Sequence, residues 1–244
     1  MLKQEIFKLS QKTSTWLTII CLIIVNFSVA LIGHLMPKHF IARELFIANF
    51  ATNSIIPLIL IAASASIITS EFEYNTIKNL IYEAKSRQAI LISKWLTIFL
   101  YSLFLYGLMA LTTLINKSIF YKGPIRSQYW LEQNSASLLN VWLLLSLVFL
   151  IATMIKKSSM AITVGIVGEF ALSIIGVLMF NLIKKWEFLK WNPLNFLNLP
   201  AQLSQPAFYH PLTRLTDLQL IGGNICYIAL FLALGLVLFA QKEV

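Results

Sequence analysis

The sequence predicts an all-α polytopic membrane protein. Six transmembrane helices are joined by an N-terminal interfacial helix, a short amphipathic helix on the cytoplasmic side and a re-entrant outer segment before the last span. Three observations predict it. Of the 244 residues, 58% are hydrophobic and only 12% charged, where soluble domains run near ~25% charged. Six long stretches lie between the charges, at 13–33, 45–70, 95–116, 133–155, 158–183 and 218–241, and only Glu169 interrupts one of them. Each reaches the ~20 residues that a spanning helix needs. Six is even, so both termini fall on one side; with that side inside, the inner segments hold 10 Lys/Arg in 41 residues and the outer ones 9 in 61. That is the sign the positive-inside rule requires. The net charge of +9 divides evenly between the two sides. The basic outer loops read as a solvated surface, or as a contact for anionic lipid or cell-wall polymer.

Residues 1–15 form the entry. Leu2, Ile6, Phe7 and Leu9 alternate with Lys3, Lys8 and Lys12, a pattern for a helix lying in the inner interface with its lysines toward lipid phosphate. Trp16 follows at headgroup level. The first span is too long and begins too late for a cleaved signal. Cys21 and Cys226 both sit inside spans, where buried apolar packing is expected and no disulfide framework is implied. Asn26 is an amide at mid-membrane, a residue that bonds across to another helix.

In the second span Pro57 removes a backbone donor and bends the helix. Below it runs Ala62-Ala63-Ser64-Ala65-Ser66. Small residues of this kind let helix backbones approach; a substrate path past Ser64 and Ser66 is the alternative reading.

Residues 71–94 are the long polar segment between two apolar runs. Ser70 and Glu73 read as a capping pair, and Asn75 before Thr76 suits a corner, since Asn tolerates left-handed backbone. Ile77, Leu80 and Ile81 then fall on one face of a short helix. Lys85-Ser86-Arg87 breaks the run before the third span.

The third span begins at Trp95 and the fourth near Ser137. Lys156-Lys157-Ser158-Ser159 is a very short inner turn, which makes the fourth and fifth spans antiparallel neighbours. In the fifth, Ala161, Gly165, Glu169, Ser173 and Gly176 share one face, with Glu169 the one ionisable residue in a predicted span. Such a charge costs ~2.5–3.5 kcal/mol on insertion scales. It reads either as a contact for a cationic substrate, proton or ion, or as a hydrogen-bonded Glu at a helix interface. Glu169, Asn26, Ser64 and Ser66 are therefore the candidate substrate path. Residues 184–217 are too apolar for a free loop and are cut by Pro193, Pro200, Pro206 and Pro211. One or two short helices dipping into the outer leaflet and packing on the bundle are expected. No internal repeat or linker divides the chain, so 1–244 reads as one membrane domain.

Several chemistries have no motif here. There is no G-x-x-x-x-G-K-[ST], so the chain has no P-loop of its own for ATP. No H-E-x-x-H or paired Cys/His set suggests a metal, and no Gly-x-Ser-x-Gly elbow suggests a hydrolase. No catalytic residue, metal site or nucleic-acid partner is expected.

Residues 71–94 resemble the inner loop of the type-2 class of ABC exporter permeases, which includes bacteriocin, lantibiotic-immunity and drug export permeases. The family pattern is an acid after the second span, a Gly-Thr corner, a leucine-containing short helix, Pro-x-Ser-Arg, and a lysine entering the third span. Glu71 or Glu73, Thr76, Leu80, Ser86-Arg87 and Lys94 match it; Asn75 replaces the Gly, and Ala84 or Lys85 stands where Pro is usual. The layout of amphipathic entry, six spans and long outer segment agrees over most of the chain.

The resemblance implies a permease subunit that is not itself an enzyme. A second permease subunit, identical or related, would pair with it, and ATP and Mg would be bound by separate ABC ATPase subunits. The coupling helix would lie within 75–84, and Glu71, Glu73, Asn75, Thr76, Lys78, Leu80, Ile81, Ser86 and Arg87 would form the coupling surface. A solvated interfacial face is the alternative for the charges among them. The location implied is the bacterial cell membrane with both termini cytoplasmic and lipid all round. Three functions follow: export of an amphipathic peptide, lipid or drug, including bacteriocin export or self-immunity; a peptide-sensing immunity module without transport; or an ion-coupled carrier using Glu169.

Overall fold

The computed structural model describes residues 1–36, 55–74, 76, 86–120 and 127–241. The described residues are helical throughout, apart from short connections. α1 (Leu2–Gln11) leads at Lys12 into α2 (Thr13–Leu35), followed by α3 (Ile55–Glu73), α4 (Arg87–Phe120), α5 (Ser127–Met154) and α6 (Ser158–Lys185). A 3-10 turn (Glu187–Trp191) and three short helices, α7 (Pro193–Phe196), α8 (Leu199–Ser204) and α9 (Pro206–Thr213), precede α10 (Asp217–Gln241). Six of these helices, α2 to α6 and α10, are long and apolar enough to cross a membrane, as the charge-free stretches predict.

Several helices outrun their apolar stretches. α4 has 34 residues, or about 51 Å at 1.5 Å per residue, and takes in Lys94 and Lys117. α5 begins at Ser127 rather than near Ser137. α3 continues through Ser70 to Glu73. Ser70 and Glu73 therefore lie in the last turn of a helix and do not open one, which corrects the expected capping pair. The N-terminal stretch 1–15 is likewise divided, with α1 ending at Gln11 and α2 taking over from Thr13.

α3 is the centre of the bundle, packed on α4, α5 and α6. Its residues Leu60, Ile61, Ala65 and Ile68 meet Ile98, Leu105, Val148 and Phe149 in one core. α6 takes most of its packing from α3 and little from α5, although only a short turn separates α5 from α6. The small residues explain this. A Cβ on Gly165 would stand 2.6 Å from Cγ2 of Ile61, so glycine lets the Ile61 side chain of α3 lie directly against the backbone of α6. The shared face is covered only at Ala161 and Gly165; Ser173 is exposed, and a Cβ on Gly176 would meet nothing. Cys21 and Cys226 are free and exposed on outer helix surfaces, against the burial expected of them.

Residues 187–213 form a helical cap on the bundle. Pro193, Pro200 and Pro206 stand in the first turns of α7, α8 and α9, where proline's missing N–H costs nothing. Asn192 caps α7 through a 3.0 Å bond from the Asn195 N–H, and Arg214 ends α9 in left-handed backbone, φ 54°. Phe196 and Leu199 are buried with Leu143 and Leu220 in a second core. The Phe196 ring lies directly on Gly223, a position where any side chain would collide. Asn224 donates to the Phe196 carbonyl at 2.9 Å, and Asn140 donates to the Leu197 carbonyl. Asn195 bridges the carbonyls of Lys190 and Thr213 at 2.8 and 2.9 Å.

Candidate functional site

Four charged side chains meet where α1, the end of α3 and the start of α4 come together. Lys94 Nζ lies 3.1 Å from Glu5 Oε2 and 3.1 Å from Glu71 Oε1. Lys8 Nζ lies 3.0 Å from the same Glu71 oxygen and 3.6 Å from Glu5 Oε1. Each carboxylate thus touches both ammonium groups, closing a square of balanced charge. The Lys94, Glu5 and Glu71 side chains are 2%, 5% and 8% exposed and that of Lys8 is 51%. The inner three are thereby desolvated, and desolvated ions are tolerable only when fully paired. Thr76 donates from Oγ1 to the second Glu71 oxygen and from its N–H to the Glu71 carbonyl at 3.0 Å. Burial draws the Lys8 ammonium's pKa down, but the hydrogen bond to Glu71 and the charge of Glu5 outweigh it and hold it above the usual value.

Local sequence explains the placement. Glu5 is the one buried residue of α1; with Leu2 and Leu9 it forms the face turned to the bundle. Ile6 and Phe7 are exposed, so of the alternating apolar set only Leu2 and Leu9 turn toward the bundle. Lys94 stands two turns into α4, and its buried ammonium is held by the two carboxylates of Glu5 and Glu71.

A second tie secures the same junction. Glu73 Oε2 accepts the Ser158 N–H at 3.1 Å, placing a carboxylate at the N-terminus of α6, where the helix dipole favours it. Thr69 and Ser158 share a hydroxyl hydrogen bond of 2.7 Å. The end of α3 is therefore bonded to α1, α4 and α6. Beside it a cleft of about 770 Å³ is lined by Phe7, Lys12, Ser66, Ser70, Tyr74 and Ser158 among others.

Ser86 Oγ accepts the Ala89 N–H at 3.2 Å, so it is the N-cap of α4, and Arg87 is that helix's first residue. Asn75, Lys78, Leu80 and Ile81 lie outside the described residues, as does the short helix expected around them. Of the other predicted residues, Glu71, Glu73, Thr76 and Ser86 gather at the two ends of the segment between α3 and α4.

The four substrate-path residues stand apart from one another in their surroundings. Asn26 is buried between α2 and α4. It donates to Thr112 and Thr113 at 3.1 and 3.2 Å and receives a 2.8 Å bond from Asn116, the cross-helix bonding expected of it. Ser64 is fully buried in α3, its hydroxyl without a partner among the described residues. Ser66 lines the cleft. Glu169 is half-buried on α6, with one oxygen buried and unpartnered among the described residues.

Sequence reading passed over Glu5, and took Lys94 only as a lysine at the mouth of the third span. The available signal was the inward helical face Leu2-Glu5-Leu9, an acid on an otherwise apolar stripe.

A family model described as an ABC-2 family transporter protein matches residues 1–193. No curated protein matches the chain.

Proposed function

We propose, given that this chain belongs to the ABC-2 family of transporter proteins, that it is the membrane-spanning permease subunit of an ATP-driven exporter. The observation that carries this reading beyond the family is the Glu71–Lys94 pair, 3.1 Å between carboxylate and ammonium. It joins the exit of α3 to the entry of α4 and so closes the base of the segment between them. The two spans are thereby tied at the point where that segment leaves one and enters the other, which is where a soluble motor would have to push to move both.

In this reading separate ABC ATPase subunits bind ATP and Mg and dock on that segment. Asn75, Lys78, Leu80, Ile81 and Arg87 supply contacts, while Glu71, Glu73, Thr76 and Ser86 hold the segment to α1, α4 and α6. Residues 1–244 act as one permease domain and pair with a second permease subunit. The chain lies in a bacterial cell membrane with both termini cytoplasmic. The cargo is an amphipathic peptide, lipid or drug, as in bacteriocin export or self-immunity, with Glu169, Asn26, Ser64 and Ser66 along its path. The unpartnered oxygen of Glu169 suits a cationic group on that cargo.

Gentle purification of the tagged chain from its native cell, with every co-purifying protein identified, tests the reading. A P-loop ATPase in the preparation supports it. A lone oligomer, reproducibly, would replace it with an ion-coupled or sensing role centred on Glu169.

A further inference from the structure

We propose that Glu5 is a positioning residue: by holding Lys94 it latches α1 to α4 and, through Glu71, to the end of α3, so that the end of α3 and the start of α4 keep one fixed spacing. The inference rests on the coupling reading above and adds to it a residue and a helix.

The argument begins with how little else holds α1. Of its ten residues only Glu5 is buried. Leu2 and Leu9 are half-buried, and Ile6 and Phe7 face outward at 41% and 63% exposure. The bonds from Thr15 to the Leu9 carbonyl and from Trp16 to the Ser10 carbonyl tie α1 only to the first turns of α2, its neighbour in the chain. Attachment of α1 to α3 and α4 therefore falls to the ion square and to Leu9, which packs on the edge of the main core. Within it Glu5 is the acid that α1 contributes, and Lys94 is the cation buried deepest. Glu71 and Lys94 stand at the two ends of the segment's base. A carboxylate from α1 placed on Lys94 makes α1 the third member of that base.

Removing Glu5 leaves one carboxylate between two ammonium groups. Lys94 keeps Glu71, which Lys8 also claims, and α1 loses its one buried contact. Removing Lys94 as well restores charge balance, with Glu71 facing Lys8, but takes away the ionic link from α1 to α4 and leaves α1 held to α3 by one half-exposed pair. The double variant thus separates the tether from the burial of unbalanced charge.

The test uses the full chain in nanodiscs together with the ATPase subunits that co-purify. Cys21→Ser and Cys226→Ser remove the two exposed thiols, and Leu9→Cys on the half-buried side of α1 serves as reporter. With Glu5→Gln we expect labelling of the reporter by a water-soluble maleimide to rise about tenfold, as an element freed from its charge-assisted contacts opens locally. We expect ATP hydrolysis by the bound subunits to fall several-fold, with the subunits still attached. Glu5→Gln/Lys94→Met should elute as a folded protein yet show both effects.

Labelling unchanged in both variants would mean that α1 is held by something else, and the proposal fails. Increased labelling with unchanged hydrolysis would mean that α1 does not position the segment, and the proposal fails in that way. Leu80→Asp, made in parallel, tells these apart from failure of the coupling reading. If it too leaves hydrolysis unchanged, coupling does not run through this segment and the positioning role falls with it.

Discussion

Lys94 and Glu5, 89 residues apart in sequence, meet at 3.1 Å in a site almost closed to water. The ammonium belongs to a long membrane helix and the carboxylate to a short amphipathic one. Neither is a natural occupant of an apolar environment, and each makes the other's burial possible.

The burial difference within the square sets the order of substitution costs. Lys94→Met leaves two buried carboxylates facing one half-exposed lysine and should destabilise the chain by about 3–5 kcal/mol. Lys8→Met removes a cation with half its surface in solvent and should cost about 1 kcal/mol. Thermal unfolding of the two variants in one detergent, monitored by loss of the monodisperse peak, gives the comparison. Equal costs would contradict the assignment of Lys94 as the inner cation.

Gly165 and Gly176 lie on one helix and should respond in opposite ways. Gly165→Ala drives a methyl into Ile61 and should cost about 1–3 kcal/mol. Ile61→Ala in the same chain should recover part of that loss, because the colliding methyl is gone. Gly176→Ala meets open space and should be neutral or slightly stabilising through helix propensity.

Asn26 ties α2 to α4 through Thr112, Thr113 and Asn116. Asn26→Leu should lower stability by about 1–2 kcal/mol, since the Asn116 amide is left without its acceptor side chain in a buried place. Proteolysis within residues 37–54 is a second readout, expected to quicken as α2 loosens.

Two substitutions address transport. Leu80→Asp with Ile81→Asp should abolish stimulation of the partner ATPase while the permease keeps its elution profile. Glu169→Gln should reduce movement of a cationic amphipathic cargo across proteoliposome membranes by about tenfold, the loss of one charge-assisted contact. Unchanged flux would remove Glu169 from the path.

The spans were legible because length and lack of charge suffice to mark them. Their ends were not. Ser127 to Gln133 and Arg87 to Lys94 are polar yet helix-compatible, so α5 and α4 continue where a charge-based boundary stops. Burial was equally hidden. A membrane helix is apolar on its lipid face and on its packing face alike, so Cys21 and Cys226 carry no mark of facing outward. Thr76, Ser86 and Lys94 could be singled out because they fall on the inner-loop pattern that residues 71–94 resemble. Glu5 left only the trace of an acid on the Leu2–Leu9 stripe, because its partner Lys94 is met only when α1 folds back onto a residue 89 positions later. The cap was visible as an apolar, proline-cut stretch. The amide bonds of Asn140, Asn195 and Asn224 that fasten it join residues far apart in the chain, and no local pattern announces them.

That fastening bears on how the molecule is made. α5 packs more extensively on α10 than on any other helix, and its Asn140 is bonded to the cap, yet both partners are synthesised after it. A ribosome that has just released α5 has produced a helix with an amide and a broad contact surface still waiting. α5 therefore reaches its final environment only once α10 has been inserted, and a chain stalled before α10 is a natural substrate for membrane quality control.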